Sequence, residues 1–201
     1  MPARQPAETR QLNQRIDGRL PVFCSPGPDL LRQLIEKSTE GHILRTTPRD
    51  SEQRFSGLTK LKRWNNASQR VIYAMTSPDG TDLGGLTWFR PAPFPKLHQA
   101  ELLEAETPHH TLALRLYKGY LNQRLAQPLL AATLHDYLTE PENSQQRGPY
   151  NGLWLRTGAE NAPALKTYLR LGFEEIASDN GKVTMVLSRS ATLKAAEQMG
   201  D

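Results

Sequence analysis

Five residues near the C-terminal end have types and spacing that suit chemistry. Asn161, Ala164, Tyr168, Gly172 and Phe173 stand at spacings 0, 3, 7, 11 and 12, just behind the apolar run NGLWLRT (151–157). A phenol with an ordinary pKa of about 10 stays protonated at neutral pH, so Tyr168 can donate a proton. Asn161, immediately before Ala162-Pro163, suits a helix cap. His109 and His110 have a reference pKa near 6.5, which suits a base around neutrality. Successive strand residues face opposite sides, so at most one of the two points at a given site, and His110 shares the parity of Leu112, Leu114 and Leu116. A different chemistry is available before Pro128. Proline is tolerated in the first helical turn, so a helix must begin near 124–126. The backbone N–H groups of Gln123, Arg124, Leu125, Ala126 and Gln127 are then free to face an anion, with no acidic side chain among them. Arg124 either adds a charge-assisted contact there or fills the place itself. Cys24 has no basic neighbour in sequence, and a cysteine nucleophile is not expected.

The elements that must position these residues alternate between strand and helix. LPVFC (20–24) reads as a short extended segment stopped by Ser25-Pro26-Gly27-Pro28. Asp29 suits the start of a helix through LLRQLIEKS, ended by Gly41. HILRTT (42–47) reads as a brief strand, and Pro48 begins a helical stretch with Asp50 and Glu52 at its positive end. VIYAMTS (71–77) and LGGLTWF (83–89) are β-rich runs separated by Pro78-Asp79-Gly80, a hairpin signal. TLALRLY (111–117) alternates as a strand, and 125–138 is expected to be an amphipathic helix. NGLWLRT is a strand, APALKTYLRLG (162–172) a helix, and KVTMVLS (182–188) a strand after Asp179-Asn180-Gly181. The expected organisation is a flexible arm at 1–19, an extension at 20–41, one α/β domain at 42–190 with helices on both faces of a sheet, and a tail at 191–201.

The spacing at 161–173 closely resembles the last strand–helix unit of the GNAT superfamily of acyl-CoA N-acyltransferases, which runs Asn, Ala three positions on, Tyr four further, then Gly-Phe. ILRTTPRD (43–50) resembles the family's opening strand and turn. The Pro78–Gly80 hairpin and the Gly84-Gly85 strand fall where its second and third strands belong. The resemblance covers roughly residues 42–188 and implies a mixed, mostly antiparallel sheet whose fourth and fifth strands splay because a bulge stops their pairing. The family's pyrophosphate loop opens with Arg or Gln, has glycine three positions on, and Gly or Ala two after that. Here those places hold Leu121, Arg124 and Ala126, so only Ala126 conforms.

The resemblance further implies acetyl-CoA as acyl donor, its pantetheine arm paired with backbone near Leu114 and Leu116 and its pyrophosphate on the amides of 123–127. Tyr168 would be the acid that protonates the departing thiolate, and His110 the base for the incoming amine. Asn161 would contact pantetheine or cap its helix. The acceptor would be a small-molecule or peptide amine, no metal is called for, and a homodimer is one outcome among several. Glu101, Glu104 and Glu106 would either attract a cationic amine or form a solvated face.

Composition sets limits on these readings. The 201 residues suffice for one sizeable core, and three Trp, six Tyr and five Phe are too many aromatics for an unstructured chain. No apolar run approaches the roughly 18 residues that span a bilayer, the first twenty residues lack the apolar centre of a secretory signal, and the single cysteine excludes an internal disulfide framework. Together these absences point to the cytoplasm. The net charge of +4 is concentrated at 42–70, where seven basic residues meet two acidic ones. Such a field favours anionic partners, though nucleic acid is not favoured because aromatics do not interleave the bases. Two other readings stay open: a non-catalytic coenzyme A sensor on the same fold, and an RNA- or ribosome-associated protein using 42–70.

Overall fold

The computed structural model describes residues 8–66, 69–96, 107–143 and 149–191. Apolar runs at 71–76, 83–91 and 110–116 form the middle of an eight-stranded sheet. The strands are β1 (Arg10–Gln11), β2 (Val22–Cys24), β3 (Val71–Thr76), β4 (Leu83–Pro91), β5 (His110–Leu116), β6 (Leu153–Gly158), β7 (Glu174–Asp179) and β8 (Lys182–Leu187). Their order is β1-β2-β3-β4-β5-β6-β8-β7, antiparallel throughout except for the parallel pair β5–β6. Every residue of β3 is buried, as expected of a strand covered on both faces.

Helices lie on both faces. On one, α1 (Pro28–Lys37), α2 (Gly41–Thr46), a single π-helical turn (Asp50–Arg54) and α3 (Leu58–Asn66) cover a core that includes Leu34, Phe55, Trp64, Ile72, Leu86 and Trp88. On the other, α4 (Ala126–Thr139) and α5 (Ala162–Arg170) cover Tyr73, Met75, Phe89, Leu129, Leu134 and Phe173. The α4 segment is not simply amphipathic: Leu129 through Leu134, with Asp136 and Tyr137, are all buried, so the helix runs through the core.

Three expectations change. HILRTT is helical, not a strand. The sheet edge beside β3 is already taken by β2, and the hydroxyls of Thr46 and Thr47 bond back to the carbonyls of His42 and Ile43, closing helical turns. Gly41 starts α2, while α1 ends at Lys37. The segment expected to be an arm contributes β1 and buries Leu12 and Ile16 against the core, with residues 1–7 outside the described region. The strand β7 had no apolar alternation to announce it, none of its residues being buried.

The splay is present. His110 pairs with Leu153 and Thr111 with Trp154, and the two strands have no further paired residues although each runs on for several. No bulge in β5 causes this: its register with β4 is continuous from Gly85↔Leu116 to Pro91↔His110. It is β6 that leaves, staying with β8 over six pairs. No described helix is long and apolar enough to cross a membrane.

Candidate functional site

Among the described residues, the gap between β5 and β6 is where the middle of the sheet presents unpaired backbone. Tyr117 donates its N–H to the Gly84 carbonyl, and Ala92 donates to the His109 carbonyl. In an antiparallel pair such rungs alternate, so the odd residues of β5 turn their polar groups to β4 and the even ones turn theirs the other way. Beyond Thr111 no described strand lies on that side, and the backbone of Leu114 and Leu116 faces the gap. Two side chains already touch this edge. The Arg115 guanidinium donates to the Leu114 carbonyl at 2.8 Å, and Nε2 of His42 donates to the Leu116 carbonyl at 2.8 Å. Glu40 accepts from the Lys118 amide at 2.7 Å and lies 3.6 Å from Nδ1 of His42. Each carbonyl keeps a second lone pair, and both amides remain on the gap side.

The chain leaves β5 at the wide end of the gap and enters α4 through a left-handed turn. Gly119 has φ +92°, Asn122 +61° and Arg124 +59°, while Leu125 returns to the right-handed helical region. The place where the resemblance calls for glycine therefore holds an arginine in a conformation glycine adopts freely and other residues rarely do. A left-handed residue followed by a right-handed one gathers successive N–H groups into a concave anion nest. No side chain caps α4, so its first amides add to that nest. Gln123 donates its side-chain amide to the Gly119 carbonyl at 2.5 Å, bracing the turn. Gln123, Arg124 and Gln127 are exposed, Ala126 is half-buried, and Leu125 is buried and anchors the loop. Leu121 is exposed.

Tyr168 comes from α5, a helix whose first turn is held by Asn161: its Oδ1 accepts from the Ala164 amide at 3.4 Å, and Pro163 sits in the turn that needs no donor. Asn161 thus acts as the cap, leaving its amide nitrogen available to other partners. The Tyr168 ring is buried 5.5 Å from that of Phe173, and its hydroxyl has no hydrogen bond among the described residues. Burial holds this phenol above its ordinary pKa, with Arg115 pulling more weakly the other way.

His110 lies at the closed end of the gap, on the same side of the sheet as Leu112 and α4. It is 1% exposed, with ring centroids of Tyr150 and Tyr137 at 5.3 and 6.1 Å. His109 is exposed at the strand's edge. The wide end thus brings together Leu114, Leu116 and the turn into α4, while His110 stands apart at the narrow end. Glu101, Glu104 and Glu106 lie outside the described residues.

Residues that sequence spacing did not single out complete the site. Asp50, 1% exposed, accepts from Arg115 Nε at 2.8 Å and from Arg54 at 2.6 Å, and both guanidinium groups lie over the Trp88 ring, at 5.1 and 5.7 Å. The Asp50–Arg54 spacing of four was a visible helical-pair signal. The tie to Arg115, 65 residues away, has no sequence signature.

No family model matches the chain, and no curated protein matches its sequence. Solved structures do. The chain is similar to an uncharacterized protein from Bacillus halodurans at 13% identity, with 94% of this chain and 95% of that one covered and a TM-score of 0.66. It is also similar to spermidine N-acetyltransferase from Vibrio cholerae, solved with CoA and spermine, at 16% identity, 87% and 98% coverage and a TM-score of 0.62. Similarity to the GNAT domain of an S. lividans protein is 14%, with 90% and 96% coverage and a TM-score of 0.59. These likenesses, the parallel pair that parts after two rungs and the helices on both faces agree, and the chain has the fold of the GNAT acyl-CoA N-acyltransferases.

Proposed function

We propose that the protein is an N-acetyltransferase that moves an acetyl group from acetyl-CoA to a primary amine by direct attack in a ternary complex. The observation that carries the reading is the junction of an open β5 edge with a left-handed, amide-rich turn at the start of α4. Acetyl-CoA would supply the activated acyl group. The amides of 123–127 would hold its diphosphate, and the guanidinium of Arg124 lies in the same turn to pair with it. Leu114 and Leu116 would take up the amide-bearing arm as a missing strand would be taken up. Backbone N–H groups on the gap side of β5 would polarise the acyl carbonyl.

Tyr168 is the proposed acid. Its phenol is kept protonated by burial and has a hydroxyl uncommitted to any described partner, so it can donate to a leaving thiolate. His110 is proposed to receive the amine proton. With 1% exposure it must receive that proton from within the gap, directly or through water, and not from bulk solvent.

Titration calorimetry with acetyl-CoA, beside a coenzyme A release assay over a panel of amines, tests the reading. Binding with turnover is expected. Binding without turnover on any amine supports the sensor reading instead, and absence of binding at millimolar acetyl-CoA removes both.

A further inference from the structure

The open edge of β5 carries two side-chain contacts to which the acyl-transfer steps assign no role. A strand edge presents N–H and C=O groups in alternation, so negative charge brought against it is held by the amides and repelled by the carbonyl oxygens. On the gap side the order along β5 is the Leu114 amide, the Leu114 carbonyl, the Leu116 amide and the Leu116 carbonyl. Both carbonyls are covered. Arg115 Nη1 donates to that of Leu114 and His42 Nε2 to that of Leu116, each at 2.8 Å. The edge thereby offers donors where a bare strand would offer acceptors.

Arg115 is built to stay at this edge. Ala113 and Tyr117, its neighbours of the same parity, pack into the α1–α3 core, yet its guanidinium turns back to the strand. Nε donates to the buried Asp50 at 2.8 Å, and the Trp88 ring lies 5.1 Å from the guanidinium carbon. A planar guanidinium held at two of its nitrogens has the third, Nη2, fixed as well. Nη2 has no partner among the described residues. It is a held donor beside the amides of Leu114 and Leu116. Burial raises the Tyr168 phenol and the Arg115 charge opposes that rise, in keeping with a guanidinium that faces the same gap as the proposed acid.

We infer that Arg115 is a further catalytic residue of the acyl transfer: held by Asp50, it donates from Nη2 to the acyl oxygen of acetyl-CoA as negative charge builds there. This inference rests on the acyltransferase reading. The amine lone pair forms the N–C bond to the acyl carbon while the C=O π pair moves onto oxygen, where Nη2 and the edge amides hold it. Reforming C=O breaks the C–S bond, whose pair leaves with sulfur. Tyr168 protonates that thiolate, and His110 takes the proton from the amine. A donor already in place costs no reorganisation as the charge develops.

The test uses the full chain. Difference infrared spectroscopy of bound acetyl-CoA, isotope-labelled at the acyl carbonyl, reads how strongly that carbonyl is polarised. Calorimetry reads affinity, and coenzyme A release with the best amine of a panel reads kcat and KM. The wild-type protein is expected to move the carbonyl stretch to lower frequency than in free acetyl-CoA. Arg115→Gln is expected to lose part of that shift and to lower kcat by about 10²–10³-fold, as removal of one oxyanion donor does, with acetyl-CoA affinity retained. Arg115→Lys keeps a cation on Asp50 without the planar fork, so it carries the test if the Gln variant does not fold; it too is expected to lose part of the shift and of kcat. Thermal unfolding checks that each variant is folded. A folded variant with the wild-type stretch, with the wild-type kcat, or with a loss confined to acetyl-CoA affinity overturns the inference alone. Wild-type protein that binds no acetyl-CoA, or binds it and turns over no amine, overturns the acyltransferase reading and the inference with it.

Discussion

The ring of Tyr120 lies directly on Gly84: a β-carbon at Gly84 would come within 2.7 Å of the ring carbons. One strand position is thereby coupled to the turn that precedes α4, because Tyr120 sits between the end of β5 and the left-handed residues Asn122 and Arg124. Gly84→Ala must push the ring out and the turn with it. The expected outcome is a stability loss of about 1–3 kcal/mol together with weaker acetyl-CoA binding, read by urea denaturation and calorimetry. Adding Tyr120→Ala to Gly84→Ala should recover part of the stability; strict additivity of the two losses would show that the contact is unimportant.

Tyr168→Phe separates chemistry from folding. Its hydroxyl has no described partner, so removal orphans no other group, and stability should change by less than about 0.5 kcal/mol. Turnover should fall by about 10²–10⁴-fold with acetyl-CoA affinity retained. Burial raises the phenol's pKa, so its proton is kept beyond pH 10 and the wild-type rate should show no alkaline fall below that pH from this group. Turnover in the variant equal to wild type would assign the acid elsewhere.

Arg124 offers two separable properties, a charge and a left-handed backbone. Arg124→Gly removes the charge and keeps the conformation at no steric cost. Arg124→Val removes the charge and adds a β-branched side chain at φ near +60°, a strain of about 1–3 kcal/mol. Acetyl-CoA affinity, measured by calorimetry, should drop less than tenfold in the first and at least a further tenfold in the second. Equal affinities in the two variants would mean that the backbone of this turn does not hold the diphosphate.

Much of this was readable from residue types, and the failures have physical reasons. The strand–helix unit at 153–170 announced itself through an apolar run, an Asn cap and a proline in the first turn, all local signals. Pro128 correctly located the start of α4 for the same reason. LPVFC was readable as extended and its last three residues form β2, but that this segment, and not HILRTT, takes the edge beside β3 depends on pairing with residues far along the chain. A left-handed Arg124 was equally invisible, since nothing in the residue type asks for it. The bonds Asp50–Arg115 and His42–Leu116 join segments 65 and 74 residues apart, and such ties exist only after the sheet has formed.

The N-terminal segment is tied down by an ion pair that composition did not suggest. Arg10 donates to both carboxylate oxygens of Asp136 at 2.8 Å, and the same carboxylate accepts from Tyr73 at 2.8 Å and Asn143 at 3.0 Å. Asp136→Ala removes the carboxylate from Arg10 and Tyr73, while Asn143 keeps the backbone carbonyl of residue 136. A loss of about 2–4 kcal/mol is expected in urea unfolding, below the range of a fully buried pair because Arg10 is a third exposed. A loss under 0.5 kcal/mol would show that this cluster does not fasten β1.

Cys24 gives a pH signature. Burial first, then Asp136, pushes its thiol from 9.0 up to about 11. The folded state thus binds this proton more tightly than the unfolded state. Its contribution is complete below pH 9 and is lost as pH rises toward 11, by about 3 kcal/mol. Cys24→Ala should flatten that part of the alkaline stability curve, and identical curves for the two proteins would contradict the shift.

Both rims of the sheet are blunted, by different means. At one side β1 is two residues long; at the other, β7 begins with the exposed Glu174 and Glu175. A short rung count offers little template, and exposed carboxylates at an edge repel an identical edge brought alongside them. Edge-to-edge pairing of sheets is therefore discouraged at each end.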